Sequence, residues 1–309
     1  MWGDAQSSSG TWSTGRSALR SWVVDILAEM DRKDIYDRWN FDDKHDGTVN
    51  GPGGISNRDI IEDYKLTVLN CPDDESADAG GGTLSYVVNA GYAHIDSSGL
   101  VVGGGGWTGG SNIHMSIDSD VNYDFIGGIN DNDEEDILVA RRTGVMWEEI
   151  RDRSGDGNPT PRKNASQSLG QIYDGAANTI LLSENINAGS NQYWGDPRAK
   201  LCTFVYPIDP LTLPDSATGL TAATYFRTAP LDPRYPFAVI NGAKSGPEEA
   251  RPFPNSFHQG GVNVTMCDGS AKFVNEDIDL SVYAQIFTPA GTKSLPTVGS
   301  QDILDTNGF

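Results

Sequence analysis

An α+β fold, with helices packed on one face of a mainly antiparallel sheet, is what this sequence predicts, and three stretches predict it. Near the start, Leu19, Trp22, Val23, Ile26, Leu27 and Met30 recur at i, i+3, i+4, i+7, i+8 and i+11, the spacing of one apolar helix face. Near the end, Val262 to Met266 alternates apolar and polar residues, runs into Asp268-Gly269, and continues as a second strand from Ser270 to Val274. An Asp-Gly pair between two such strands is a strong hairpin signal. Beyond the hairpin, Asp279 stands as an N-cap before Leu280, Val282, Tyr283, Ile286 and Phe287, a helix that packs back on the sheet.

The other elements follow in order. Residues 1–16 are rich in Gly, Ser and Thr and read as a poorly ordered lead-in, with Ser17 as the N-cap of the first helix. A short helix over Lys33–Trp39, a loop over Asp42–Gly54 and a helical turn over Asn57–Asp63 come next, then a short strand from Lys65 to Asn70 that stops at Cys71-Pro72. The acidic, then Gly-rich run Asp73–Gly82 is a loop. Leu84–Asn89 is strand-like, Gly103–Gly106 and Gly109-Gly110 surround Trp107 in a loop, and Ile137–Arg141 and Thr143–Trp147 read as strands. Thr179–Ser183 is a short apolar strand, and the proline-rich stretch Pro207–Pro254 reads as a surface excursion.

A formal net charge of −21 excludes a general binder of nucleic acid or anionic lipid, because those partners are held by clustered Lys and Arg. Calcium or a basic partner remains compatible with it, and the acidity also suits a soluble extracellular protein. No stretch reaches the ~18 apolar residues of a membrane span, so no membrane contact is expected. The cysteines Cys71, Cys202 and Cys267 are odd in number and lack C-x-x-C spacing. A zinc site is therefore not expected, and the choice lies between one disulfide with a free thiol, which suits an exported protein, and buried thiols.

For a metal, the densest candidate lies between Asp118 and Asp136. Asp118, Asp120, Asp131, Asp133 and Glu135, interspersed with Asn130 and Asn132, offer the oxygen ligands that calcium needs, without the Asp, Gly and Glu positions of an EF-hand loop. Asp152, Asp156 and Asn158 are a second, sparser candidate. His45 and His114 have no second histidine at metal spacing. Trp2, Trp12, Trp107 and Trp194 fall in predicted loops, either as sugar- or partner-stacking surfaces or as buried anchors. Ser256, His258 and Asp268 form a nominal Ser-His-Asp set, but no G-x-S-x-G turn surrounds the serine. The structural reading is preferred: Asp268-Gly269 makes the turn, His258 fixes the approach to the first strand through a hydrogen bond, and Gly260-Gly261 lets backbone pass close by.

His258 and Asp268-Gly269 together spell H-x9-DG. This resembles the C-terminal signature of a prepilin-like family of unknown function, of DUF1559 type and abundant in Planctomycetes. Trp22–Asp42 looks like that family's segment after the pilin helix, Cys71-Pro72-Asp73-Asp74 like its C-P-S-D segment, Leu84–Asn89 like its T-S-Y-x-x-N segment, and Ile172–Asn185 like its I-T-D-G-T-S-N-T-I-L-x-x-E-N segment. The matches fall in the family's order, which implies a single pilin-like head over residues 17–309. Family members begin with a basic leader and a long apolar helix that this sequence as given lacks, so it is expected to be the soluble head. The resemblance implies a non-enzymatic, extracellular or cell-surface structural protein, a pilin-like or pseudopilin-like subunit whose partners are similar subunits or surface components. The rival expectation is a soluble calcium-dependent module binding glycan or protein.

Overall fold

A computed structural model of the chain describes residues 2–3, 20–75, 82–95, 113–115, 141–146, 148–149, 167–186, 188, 193–197, 199–208, 238–242, 252–293, 301 and 303–304. The acidic stretch 118–136, the sites at Asp152, Asp156 and Asn158, and Trp12 and Trp107 lie outside the described residues, as does Ser17.

The centre of the fold is a mixed sheet. Its strands are β2 (Tyr86–Ile95), β3 (Ile113–Met115), β5 (Ile180–Glu184), β6 (Thr203–Ile208), β7 (Gly261–Met266) and β8 (Ala271–Asn275), while β1 (Trp2–Gly3) and β4 (Glu148–Glu149) pair apart from it. β2 is antiparallel to β3 and β5, β5 to β7 and β7 to β8, whereas β2 and β6 run parallel. Val88 pairs with both Leu182 and Thr203, and Ala93 with both Met115 and Pro207, so β6 flanks one side of β2 and β5 and β3 share the other.

Helices cover both faces, not one. On the first, α5 (Leu280–Phe287) packs Tyr283, Ala284, Ile286 and Phe287 against Val87, Phe204, Tyr206, Val262, Val264 and Met266. Asp279 caps it by accepting from the Ser281 N–H at 2.8 Å, as the sequence predicts. On the second, α1 (Trp22–Ile26), α2 (Lys33–Tyr36) and α3 (Asn57–Asp63) bury Trp22, Val23, Leu27, Ile35, Trp39, Ile60 and Ile61 against Val88 and Trp194. The neighbours Val87 and Val88 enter opposite layers because successive strand side chains alternate. One short helix, α4 (Ala199–Cys202), leads directly into β6.

Three local expectations are corrected. The first helix is capped by Ser21 and ends early, since Asp31 adopts φ +60, a left-handed conformation that Asp tolerates and a helix does not. Residues 65–70 form a 3-10 turn (Thr67–Leu69): Leu66 and Leu69 are both buried at i and i+3 while Val68 points out, so core burial selects the helical spacing. Residues 141–143 are helical and only Glu148–Glu149 is strand, against the strand expected over 143–147. Among the described residues no helix is long and apolar enough to cross a membrane.

Candidate functional site

β5 ends in Glu184, and it ends on the face covered by the N-terminal helices. Leu182, two residues earlier, packs into that layer, and Tyr86 pairs with Glu184 on the neighbouring strand. On the other side Ser183 pairs with Val264, which sets Glu184 beside Asn263 of β7. Its Oε2 accepts from the Asn263 N–H at 2.8 Å and its Oε1 from Asn263 Nδ2 at 3.1 Å. Glu184 is only 2% exposed, so this carboxylate has been taken out of water and depends on such partners.

The main partner is His258. Its Nε2 lies 3.0 Å from Glu184 Oε1, its Nδ1 lies 2.8 Å from Asp73 Oδ2, and Cys71 Sγ sits 3.4 Å from Nε2. Both ring nitrogens thus face a carboxylate oxygen, Nε2 that of Glu184 and Nδ1 that of Asp73. Cys71 and Asp73 arrive from the loop that leaves the N-terminal layer, and Pro72 between them prevents that loop from continuing as a helix. Asp74 turns inward, accepting from Ser85 Oγ at 2.7 Å. Burial pushes the Cys71 thiol up to about 11, and the Glu184 charge adds to the shift, so this thiol is not an activated nucleophile. Burial likewise raises the Tyr86 phenol to about 12, with the Cys71 and Glu184 charges contributing.

Ser256 Oγ is bonded to backbone groups and not to the His258 ring. Its buried Oγ donates to the Gly261 carbonyl at 2.7 Å and accepts from the His258 N–H at 3.2 Å, closing the turn that feeds β7. Asp268 lies beyond the far end of β7, and that six-residue strand spans roughly 20 Å. There Asp268 accepts from the Ser270 N–H at 2.9 Å and from the Ser270 hydroxyl at 2.6 Å, bonds that hold its carboxyl below the usual range. The hairpin therefore separates His258 from Asp268. The nominal Ser-His-Asp set is not brought together, and Asp268-Gly269 makes the turn, as the preferred structural reading has it.

The other motif residues are placed as follows. Gly260 and Gly269 both adopt φ +84, and a side chain at Gly261 would run into the Val274 carbonyl oxygen of β8. Cys71, Cys202 and Cys267 are all buried thiols in separate surroundings with no disulfide among them, so of the two alternatives the structure shows buried thiols. Trp194 is a buried anchor, stacked 5.7 Å from Trp39 with its Nε1 donating to the Tyr64 carbonyl at 3.0 Å. Strand register sets His94 opposite His114, a pairing that spacing along the chain conceals.

The remaining segments of the sequence resemblance interlock at the same core. Buried Asn89 donates to the Ile180 carbonyl at 2.9 Å and the Phe287 carbonyl at 2.7 Å, joining strand to helix α5. Asp174 accepts from the Gly291 N–H at 2.6 Å, and the Asn185 N–H donates to the Ser85 carbonyl at 2.9 Å. A family model described as "Protein of unknown function (DUF1559)" matches residues 2–281. The chain belongs to that family. No curated protein and no solved structure matches it. In this DUF1559 member, Cys71, Asp73 and Glu184 are the partners of His258 that sequence reasoning missed. The available signal was that Cys71 and Asp73 fall in one family-like segment and Glu184 in another, in residue types that hydrogen-bond or ligate through their tips.

Proposed function

We propose that this chain is the globular head of a pilin-like or pseudopilin-like subunit, a structural protein without enzymatic activity that is displayed outside the cell in a surface filament or secretion apparatus. The observation that carries this reading is the convergence at His258. The residues by which the chain resembles prepilin-like proteins act as clips between distant segments: His258 to Glu184, His258 to Asp73, Asp74 to Ser85, Asn89 to α5. Such clips suit a head whose task is to hold its shape. The commitment of Ser256 to backbone partners, together with the separation of His258 from Asp268, supports a role without catalysis.

In such an assembly the contacts between subunits come from packed apolar helices, and a head with net charge −21 faces water and its neighbours without collapsing onto them. Mass spectrometry of the native N-terminus in the source cells tests the proposal. A processed, methylated residue heading an apolar helix upstream of Met1 is expected. A native start at Met1 would overturn the assembly mechanism.

A further inference from the structure

The cluster at His258 contains more than a hydrogen-bonded clip requires. Cys71 Sγ, Glu184 Oε1 and His258 Nε2 all lie within 4.8 Å of one another, and they differ in kind: a sulfur, a carboxylate oxygen and an imidazole nitrogen. We propose that these three atoms bind one Zn2+ ion, leaving a fourth position open toward solvent.

Distances favour it. With ordinary zinc bond lengths a tetrahedral site sets nitrogen and oxygen ligands about 3.4 Å apart, and nitrogen and sulfur ligands about 3.6 Å apart. Here Nε2 lies 3.0 Å from Oε1 and 3.4 Å from Sγ, so each of these two pairs needs to part by only tenths of an ångström. The surroundings complete the arrangement. Zinc-binding histidines usually give their other ring N–H to a carboxylate, and Asp73 Oδ2 receives Nδ1 at 2.8 Å. Glu184 is oriented in turn by Asn263, whose N–H donates to Oε2 and whose Nδ2 donates to the Oε1 that faces His258 Nε2.

The ligand chemistry selects the metal. Calcium and magnesium require several hard oxygens, whereas a thiolate with an imidazole and one carboxylate suits zinc. On binding, the Cys71 thiol gives up its proton to solvent and Nε2 offers the metal its lone pair, while Nδ1–H donates to Asp73 Oδ2. The thiolate and the Glu184 carboxylate then neutralise the dication.

This assignment is independent of any role in a filament. The test is to strip the full chain with a chelator and titrate it with Zn2+ by calorimetry, and with Co2+ by absorption spectroscopy. Binding of one equivalent is expected, with a thiolate-to-cobalt charge-transfer band. Cys71→Ser should abolish that band, and Cys267→Ser should retain it. Asp73→Asn, which keeps the size and shape of the side chain, should weaken zinc by about 10–100-fold. Absence of saturable zinc binding, a cobalt band that survives Cys71→Ser, or an affinity unchanged in Asp73→Asn would each overturn the assignment. A band that survives Cys71→Ser would place the metal on another thiolate, Cys202 or Cys267.

Discussion

At one end of the β7–β8 hairpin His258 is held by residues far away in the chain; at the other, Asp268 is held by Ser270, two residues on. Both belong to the same short motif, yet the first end is tertiary and the second local. The His258 end contacts Glu184 and Cys71, separated from it by 74 and 187 residues, and much of it is buried. The Asp268 end is an exposed turn whose geometry comes from an acidic side chain bonding its own backbone and from Gly269 at φ +84. A motif that reads as one unit in sequence can therefore do two unrelated jobs: one end pins the sheet to the loop that carries Cys71 and Asp73, and the other reverses the chain.

Substitutions can break this contrast. Glu184→Ala should have the largest effect, lowering unfolding stability by about 3 kcal/mol in urea titrations, because it leaves the ring of His258 and the N–H of Asn263 without their buried acceptor. A loss below about 1 kcal/mol would show that the cluster does not hold the sheet to the loop. Gly261→Ala comes next, at about 2 kcal/mol, since its Cβ would press on the Val274 carbonyl in the middle of a hydrogen-bonded pair. Gly269→Ala should cost only about 1 kcal/mol: nothing lies near the added Cβ, and the cost is that of a left-handed conformation alone. If Gly269→Ala proved the costlier of the two, the turn end would be the critical one.

Smallest of all is Asp268→Ala, and its signature is in the pH dependence. Hydrogen bonds from Ser270 lower the Asp268 carboxyl below its ordinary 3.8. Its contribution is therefore fully present above that value and is lost as pH falls through the lower, folded-state value. Asp279, lowered by the Ser281 bonds at the cap of α5, behaves in the same sense. Acid titration of thermal stability should show the wild type converging on Asp268→Ala only at strongly acidic pH. A difference that persists unchanged there would rule out the carboxylate as its source.

Legibility in the sequence followed the range of the interactions. The hairpin, the Asp279 cap and helix α3 were readable because each is specified by residues a few positions apart. Strand β6 was not. Cys202 to Tyr206 is buried throughout, so it has no alternation, and Pro207 argues against a strand unless the strand is an edge. Among the described residues β6 pairs only with β2, which makes it such an edge. The 3-10 turn over Thr67–Leu69 was misread for a related reason, since its spacing is decided by which leucines the helical layer can receive.

The sequence by itself determined the family, the α+β class, the turn at Asp268-Gly269 and the acidic character of the chain, because composition, alternation and short motifs act locally. The tertiary structure alone decided that helices cover both faces, that Cys71, Cys202 and Cys267 form no disulfide, and that Cys71, Asp73 and Glu184 meet His258. Those outcomes depend on how a strand register and a loop end come to rest against each other. Side-chain alternation turns Glu184 toward the N-terminal layer, and burial there leaves its charge to be satisfied by whatever the fold brings within reach.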